Sequence, residues 1–267
     1  MLKKIINRIK YELQRFLKFY RLISDFNIAQ AFQLSYFKNN VSDEERYLNF
    51  NPKKWVNEIK VRNSFRDKRT VQDVFLREYH LPINKINENK CIIVDLGCNI
   101  GVTIGHYKNL FPNSKIIGYE MDKDNYELAK KNTLDYSNII IENKAIWIKE
   151  DIVKYYKDGS YDGYSLNILS KENNASVPSI SMHQLIDTHA IKKIDYLKID
   201  IEGTEKDILS DQNLDWLDRV IELNIEMHLL QDGEISEYIS ILENKGFKAW
   251  KDDNHSSAIR AIKKQNF

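Results

Sequence analysis

The chain has 267 residues, of which 42% are hydrophobic, enough for one large α/β domain with an extension or for two small domains. Its 40 Lys and Arg and 39 Asp and Glu give a formal net charge of +1. The protein therefore has no overall positive field that would attract nucleic acid. Glycine (9) and proline (4) are scarce, which argues against fibrous or low-complexity structure. Cys91 and Cys98 have neither a CxxC nor a zinc-site spacing, and they predict free thiols in a reducing cytoplasm.

The first 25 residues predict a basic amphipathic helix over residues 2–22. Seven Lys and Arg side chains stand against Glu12 and Asp25, and apolar residues recur with a helical period. Charges interrupt every apolar run, which excludes a membrane-spanning helix and a signal peptide. Such a helix can dock on its own domain, pair with a second copy in a homodimer, or lie on the inner face of an anionic membrane.

Two domains are expected, a helical extension over residues 1–60 and a main domain over residues 61–267. Residues 26–60 are mixed and rich in aromatic side chains, and we expect them to form a small helical cap. The main domain begins with helical spacing over Val71–His80, which Pro82 ends.

From Cys91 onward the pattern alternates strand and helix, which is typical of parallel βαβ units. Residues 146–180 break the alternation and predict an inserted hairpin or loop. A final pair of strands, 247–251 and 257–263, predicts an antiparallel hairpin at the sheet edge. The other expected strands are 91–96, 115–120, 138–142, 196–201 and 220–226, and the expected helices are 103–110, 123–133, 182–188, 204–210 and 234–245. The fold class is therefore α/β, with a Rossmann-like, mostly parallel sheet.

The strongest local signal is the apolar run from Ile92 that ends in Asp95 and a tight turn. A turn of this kind lets the backbone approach a ligand closely at the carboxyl end of a buried strand. Glu120 ends the next apolar run, where its carboxylate suits a bidentate hold on a ribose diol. The turn residues that we assign to cofactor binding are Gly97, Asn99 and Gly101. Together these residues predict an adenosine-containing cofactor.

The turn differs from the G-x-G-x-x-G fingerprint of nicotinamide enzymes. Asn99 replaces the middle glycine, and Val102 stands in the last position. A carboxylate at Asp95 would repel a pyrophosphate, but it can order the loop and attract an aminoacyl sulfonium ligand. The pattern is that of S-adenosylmethionine (SAM) binding, and a nicotinamide-dependent enzyme is the alternative.

A second motif indicates a family. The run Asp195-Tyr196-Leu197-Lys198-Ile199-Asp200-Ile201-Glu202-Gly203-Thr204-Glu205 resembles the D-x-L-K-I-D-x-E-G-x-E signature of the FkbM-type methyltransferases. Glu226-Met227-His228 is similar to the E-x-H that follows the fifth strand of that family. The resemblance covers roughly residues 61–263 and leaves out the first 50 or so.

The resemblance implies a class I SAM-dependent methyltransferase that acts on a hydroxyl of a sugar, nucleotide sugar or other glycan precursor. It also implies that the segment after the third strand, including Asn143 and Ala145, borders the adenine. Met121 and Asp200 complete the cofactor set that we expect. An amine or a phosphorylated small molecule is the alternative acceptor, and a non-catalytic membrane-associated module is the alternative function.

Methyl transfer to a hydroxyl requires a base within hydrogen-bonding reach of the acceptor. Side chains at the carboxyl ends of the fourth and fifth strands meet this condition, and they are Asp200, Glu202, Glu226 and His228. His228 is attractive because its ordinary pKa lies near neutrality. Glu202 and Glu205 could instead flank the N-terminus of the next helix, and His228 could be a surface loop residue. Lys198, a charge inside a strand, is expected to pair with Asp200 or Asp95.

We expect no metal in this site. Asp200, Glu226 and His228 are nevertheless plausible ligands for a divalent ion, since carboxylates at strand ends hold one in catechol-type methyltransferases. The resemblance does not require such an ion.

Overall fold

A seven-stranded sheet forms the centre of the molecule in the computed structural model, which describes residues 2–36, 47–84, 86–87, 90–157, 164–165, 175–228 and 234–264. The helices are α1 (Leu2–Leu22), α2 (Ile28–Ser35), α3 (Phe65–Leu76), α4 (Val102–Leu110), α5 (Lys123–Asn132), α6 (Met182–Thr188), α7 (Glu205–Leu209) and α8 (Ile235–Asn244). The strands are β1 (Tyr47–Phe50), β2 (Ile59–Arg62), β3 (Ile92–Leu96), β4 (Lys115–Tyr119), β5 (Ile139–Glu142), β6 (Ala145–Ile146), β7 (Ile152–Lys157), β8 (Tyr164–Ser165), β9 (Ala175–Ile180), β10 (Ile194–Ile199), β11 (Val220–Glu226), β12 (Phe247–Lys251) and β13 (Ala258–Lys263).

The central sheet has the order β12-β13-β11-β10-β3-β4-β5. Strands β11, β10, β3, β4 and β5 are parallel, whereas β13 and β12 form an antiparallel pair at one edge, as the sequence predicts. The chain moves outward from β3 in one direction through β4 and β5, and in the other direction from β10 through β11. The strand order therefore reverses between β3 and β10, which is where open α/β sheets bind their ligands.

Both faces of the sheet are covered, because consecutive strand residues belong to different cores. Ile93, Ile116 and Tyr196 pack with α4 and α5 on one face. The next residue on each strand, Val94, Ile117 and Leu197, packs on the other face among residues of α6 and α8. Successive side chains of a strand point to opposite faces, and both faces are buried here. The strands are therefore unbroken apolar runs in the sequence.

The insertion over 146–180 contains short strands, as expected. β7 pairs antiparallel with both β8 and β9, and β9 pairs with β6 to complete a small second sheet. Residues 158–163 and 166–174 of the insertion lie outside the described residues.

The N-terminal segment is only partly helical. The amphipathic helix has the expected bounds in α1, but residues 47–50 and 59–62 pair as the antiparallel strands β1 and β2, so the expectation of a wholly helical cap is wrong. Phe50 and Val61 of these strands are fully buried in a core that they share with Ile100 and Val102 of the main domain. The sequence pattern of this segment favours neither helix nor strand, and packing against the main domain stabilises the strands.

Helix α3 begins six residues before the predicted start and ends before His80. Ser64 caps it by accepting a hydrogen bond from the Asp67 backbone N–H at 3.1 Å. The helix ends at Leu76, well before Pro82, so the proline does not determine its end. Among the described residues, no helix is long and apolar enough to cross a membrane.

Candidate active site

The turn after β3 brings the backbone of the main domain close to the end of β10. Gly97, Asn99 and Gly101 all have positive φ angles, of 81°, 50° and 79°. A Cβ atom on Gly97 would lie 1.7 Å from the carbonyl oxygen of Asp200, so no side chain fits there. The N–H groups of Gly97 and Cys98 donate to the Tyr119 carbonyl at 2.9 and 3.0 Å, which joins the turn to β4.

Glu120 holds the turn in place from the end of β4. One carboxylate oxygen accepts the backbone N–H of Asn99 and the other accepts that of Asp122, both at 2.8 Å. The residue is only 6% exposed, and this burial raises the pKa of its carboxyl to about 7. Glu120 therefore orders the turn while one side of it faces the cleft described next.

A cleft of about 550 Å³, open to solvent, lies at the carboxyl ends of β3, β4 and β10. Carboxylates and exposed backbone of the turn form one wall, and apolar side chains form another. The lining residues are Gly97, Asn99, Tyr119, Glu120, Met121, Asn125, Lys144, Ala145, Ile146, Asp200, Ile201 and Glu202. An apolar wall suits a nucleobase and Glu120 suits a ribose diol, so these residues fit an adenosine-containing ligand.

The expected cofactor residues divide into two groups. Those that line the cleft are Gly97, Asn99, Glu120, Met121, Ala145 and Asp200. Asp95, Gly101 and Asn143 lie outside its lining. Gly101 begins α4 in a left-handed conformation, and the Asn143 amide donates to the carbonyls of Glu120 and Met121 at 2.9 and 3.0 Å. These bonds fix the backbone after β4, and the expectation that Asn143 borders the adenine stays a prediction.

Lys198 joins the two central strands behind the cleft. Its Nζ lies 3.3 Å from Asp95 Oδ1, 3.2 Å from Asp200 Oδ2 and 3.4 Å from the Gly97 carbonyl oxygen. Burial alone would lower the pKa of Lys198, but the carboxylates of Asp200 and Asp95 raise it well above its ordinary value. The expected pairing is confirmed with both acids, and Asp95, fully buried and also bonded by Thr103, supports the turn.

His228 lies among four carboxylates. Its Nδ1 is 2.8 Å from Glu205 Oε1, and its Nε2 is 3.3 Å from Glu202 Oε2 and 3.9 Å from oxygens of both Asp200 and Glu226. Burial lowers the pKa of His228, but the hydrogen bond and charge of Glu205 and the charges of Glu202 and Asp200 raise it to about 10. His228 is consequently an imidazolium at neutral pH, a donor rather than the free base that the sequence favoured.

Glu205 keeps His228 in this orientation. The residue is 1% exposed, and its carboxylate also accepts the backbone N–H groups of Ile201 and Gly203 at 3.0 and 2.9 Å. These bonds hold the carboxylate in the first turn of α7, where the alternative reading of Glu205 placed it. Glu205 does not line the cleft.

Glu202 and Glu226 have a higher affinity for protons than ordinary carboxylates. Burial raises the pKa of each to about 7, and the charge of Asp200 adds to the effect. A carboxylate with such a pKa is well matched to general base catalysis near neutrality.

Two aromatic residues of the site were missed from the sequence. His255, in the connection between β12 and β13, has its Nε2 3.5 Å from Glu226 Oε1 and stacks on Tyr79 with ring centroids 4.6 Å apart. The sequence feature that could have indicated His255 is its position in the predicted C-terminal hairpin, whose second strand pairs with β11. Tyr79 follows α3 and has no motif of its own.

Further cavities adjoin the cleft at Asp200. One of about 680 Å³ is lined by Gly97, Asn99 and Asp200 and by polar residues of α3, and Tyr79 also borders it. A smaller one of about 190 Å³ contains Tyr79, Asp200, Glu226 and His255. Asp200 therefore lines the cleft and both neighbouring cavities.

Asp200, Glu226 and His228 also meet the condition for a cation site. Among the described residues, each of the three offers one ligand atom, and these atoms lie within 4.8 Å of one another. In its neutral form, with Nδ1 bonded to Glu205, His228 would present the Nε2 lone pair toward the carboxylates, as metal-bound histidines often do.

The reversal of strand order, the glycine turn and the acid at the end of β4 define a class I methyltransferase fold. The family model described as "Methyltransferase FkbM domain" matches residues 32–249. The chain belongs to this family, and its methyl donor is S-adenosyl-L-methionine. The match begins at residue 32, so it extends further toward the N-terminus than the resemblance seen in the sequence. The nicotinamide alternative is thereby replaced.

Solved structures of other proteins match the chain at low identity. The fibrillarin of Aeropyrum pernix, crystallised with SAM, has a TM-score of 0.42 and 13% identity over 70% of this chain and 72% of that one. The fibrillarin of Methanococcus jannaschii has a TM-score of 0.42 and 14% identity over 85% and 84%. TrmK of M. capricolum, in complex with S-adenosyl-homocysteine, has a TM-score of 0.40 and 15% identity over 72% and 68%. No curated protein matches the chain.

Proposed function

We propose that the protein transfers a methyl group to a hydroxyl of a sugar, nucleotide sugar or other glycan precursor. The observation that carries the proposal is the position of Asp200, which lines both the cleft and the cavities that contain Glu226, His255 and Tyr79. A donor in the cleft and an acceptor in the adjoining cavity would meet beside Asp200. Such alignment is a large part of catalysis by an in-line displacement.

The residues of the cleft have distinct tasks in this proposal. When bound, the donor supplies an electrophilic methyl group on a sulfonium sulfur. Glu120 would hold the ribose hydroxyls, and Met121 and Ala145 would contact the base. Asp200 and Glu202 both line the cleft, and their carboxylates would stabilise a cationic centre there.

The polar acceptor is supported by the lining of the second cavity. Arg66, Arg69, Thr70 and Asp73 of α3 present hydrogen-bonding groups to it, and Tyr79 adds an aromatic side chain. These groups suit the hydroxyls and ring faces of a sugar. Glu226 lines the smaller cavity, which shares Asp200 and Tyr79 with the second one, and from there it would accept the hydroxyl proton. His228 would be the nearby cation that stabilises the ionised carboxylates.

The test is incubation of the protein with SAM and a panel of nucleotide sugars, free sugars, amino sugars and phosphorylated small molecules, followed by mass spectrometry for a methyl increment. We expect methylation of a hydroxyl, and methylation only of amines would contradict the proposal. With the acceptor so found, Glu226→Gln should lower kcat by about 10²-fold or more while SAM binding is kept. The exposed carboxylate variant Asp215→Asn is the matched control.

The second candidate mechanism uses a divalent ion held by Asp200, Glu226 and His228. It is favoured because one ligand atom of each residue lies within 4.8 Å of the others. Our proposal requires no metal, so dialysis against EDTA should leave the rate unchanged. A loss of activity that Mg²⁺ restores would instead assign these three residues as ligands.

A further inference from the structure

The N-terminal helix α1 carries a row of apolar side chains that its own domain leaves uncovered. The exposed fractions of these residues range from 42% to 66%, and they are Ile6, Ile9, Leu13, Phe16, Leu17 and Tyr20. Their spacing of three or four residues places them along one face of the helix, which we call the α1 stripe. A contiguous exposed apolar surface of this kind is typical of an interaction site.

The helix is nevertheless attached to the protein by its other side and its C-terminal end. Leu22 is fully buried, and the Arg21 guanidinium donates to the Leu76 carbonyl at 2.6 Å. Arg15 donates to the Ser35 carbonyl at 3.2 Å and lies over the ring of Tyr36. Docking on its own domain, one of the three expectations for this helix, therefore accounts for these residues and leaves the α1 stripe without a partner among the described residues.

Charge is strongly segregated between the helix and the rest of the chain. Residues 2–22 contain seven Lys and Arg and only Glu12 as an acid, whereas the remaining chain has five more acidic than basic residues. Arg8 and Lys10 are exposed on either side of Ile9 in the α1 stripe. The protein thus has a basic, apolar end and an acidic body, although its net charge is close to zero.

We propose that the α1 stripe binds the surface of an anionic membrane, with its apolar side chains in the interface and the exposed cations beside it, such as Arg8 and Lys10, among the headgroups. An apolar face flanked by cations is the arrangement that such surfaces bind. Attraction of the helix and repulsion of the acidic body would orient the molecule on the membrane.

A second copy of the chain is less well matched to this surface. A two-fold dimer places the same patch of both copies in contact. Pairing of two α1 stripes would bring together the cations of both helices with Glu12 as the only acid from each, and like charges in contact oppose association. Anionic lipid headgroups supply the complementary charge that a second stripe lacks.

The experiment is flotation of the full chain with vesicles of phosphatidylcholine alone and with vesicles of equimolar phosphatidylcholine and phosphatidylglycerol. We expect binding to the anionic vesicles, little binding to the neutral ones, and loss of binding at high salt. Each basic residue near the surface contributes about fivefold to the affinity, so Arg8→Glu with Lys10→Glu should weaken binding by at least about tenfold.

The apolar contribution has its own variant and control. Ile9→Gln with Leu13→Gln and Phe16→Gln should also remove binding, because all three side chains are exposed and their loss does not disturb the core. Leu134→Gln with Ile152→Gln replaces equally exposed apolar residues outside α1 and should leave binding unchanged. Circular dichroism and thermal unfolding of each variant establish that it is folded.

Three results would overturn the proposal. Equal binding to both vesicle types, or none to either, would remove the role of anionic lipid. Unchanged binding by the triple Gln variant would show that the α1 stripe is not the contact surface. Light scattering that shows a dimer, converted to a monomer by the same variant in the absence of vesicle binding, would assign the stripe to a second copy. None of these readouts depends on methyl transfer.

Discussion

Individual carboxylates in this protein differ in role because their surroundings differ. Glu205 accepts two backbone N–H groups and contacts the His228 ring, whereas burial raises the pKa of Glu202 and Glu226 to about 7. All three lie within 4 Å of His228. The acid, base and orienting roles in the site are therefore set by local hydrogen bonds and burial, and not by residue type alone.

Glu120 provides a direct test of the donor cleft. Glu120→Ala removes the acceptor of two backbone N–H groups and a carboxylate that lines the cleft, which we propose holds the ribose hydroxyls. Hydrogen bonds to a charged group contribute about 1.5–3 kcal/mol, so SAM binding should weaken by at least about tenfold in isothermal titration. Asp215→Ala, which removes an exposed carboxylate whose partner Lys245 does not line the cleft, should leave binding unchanged. Unaltered affinity of Glu120→Ala would contradict the assignment.

His228 predicts a pH dependence of stability with a definite sign. Its pKa is about 10 in the folded protein and 6.5 ordinarily, so the protonated form is favoured by folding. The stability it contributes is fully present below pH 6.5 and is lost as the pH rises toward 10. The difference in free energy of unfolding between wild type and His228→Gln should shrink over that interval in denaturant titrations.

His255 is the control for that measurement because its pKa is shifted in the opposite direction. Burial lowers the pKa of His255, so its stabilising form is the neutral one. The difference between wild type and His255→Gln should therefore grow, not shrink, as the pH rises through 6.5. Parallel curves for the two variants would mean that the surroundings of His228 do not hold it protonated.

At the scale of elements, the glycine turn is constrained by β10 as well as by its ligand. Gly97→Ala would place a methyl group 1.7 Å from the Asp200 carbonyl oxygen. The backbone of Gly97 also has a positive φ, which disfavours alanine. We expect a loss of more than about 3 kcal/mol in the free energy of unfolding, since the end of β10 would have to move.

Gly203 separates the steric effect from the conformational one. It also has a positive φ, of 110°, but a Cβ atom there would have no neighbour within 4 Å. Gly203→Ala should cost only about 1–2 kcal/mol. Equal losses for the two variants would show that backbone conformation alone, and not the approach to Asp200, determines the need for Gly97.

Elements with strong local signals agree with prediction, and those without them do not. Asp122 caps α5 as expected, with its carboxylate accepting from the backbone of Asp124 and Asn125. The bounds of α3 were wrong because the capping residue Ser64 precedes the apolar pattern that suggested the helix. β1 was missed because a four-residue strand gains its stability from β2 and from burial of Phe50 in the shared core.

At the scale of the whole molecule, the N-terminal helix is divided between a free end and an anchored end. Deletion of residues 1–13 should leave the thermal unfolding temperature unchanged, because the side chains of residues 6–13, the part of this segment whose burial is described, are all exposed. Deletion of residues 1–25 also removes Leu22, which is fully buried, and the bond from Arg21 to Leu76. The longer deletion should lower the free energy of unfolding by about 2–5 kcal/mol, the usual effect of losing a buried leucine. An equal effect of both deletions would contradict this division.

The strands of the main-domain sheet, the glycine turn, the position of Glu120 after β4 and the family could all be predicted from the sequence. Each of these features depends on residues that are close together in the chain. The tertiary structure decided how Asp200, Glu226, His228 and His255 come together, since they lie on different strands or connections and only the strand order makes them neighbours. It also decided that Asp95 and Asn143 support the cleft from behind and that the α1 stripe remains exposed. Local chemistry determines how a segment folds, whereas burial and proximity depend on which segments pack together.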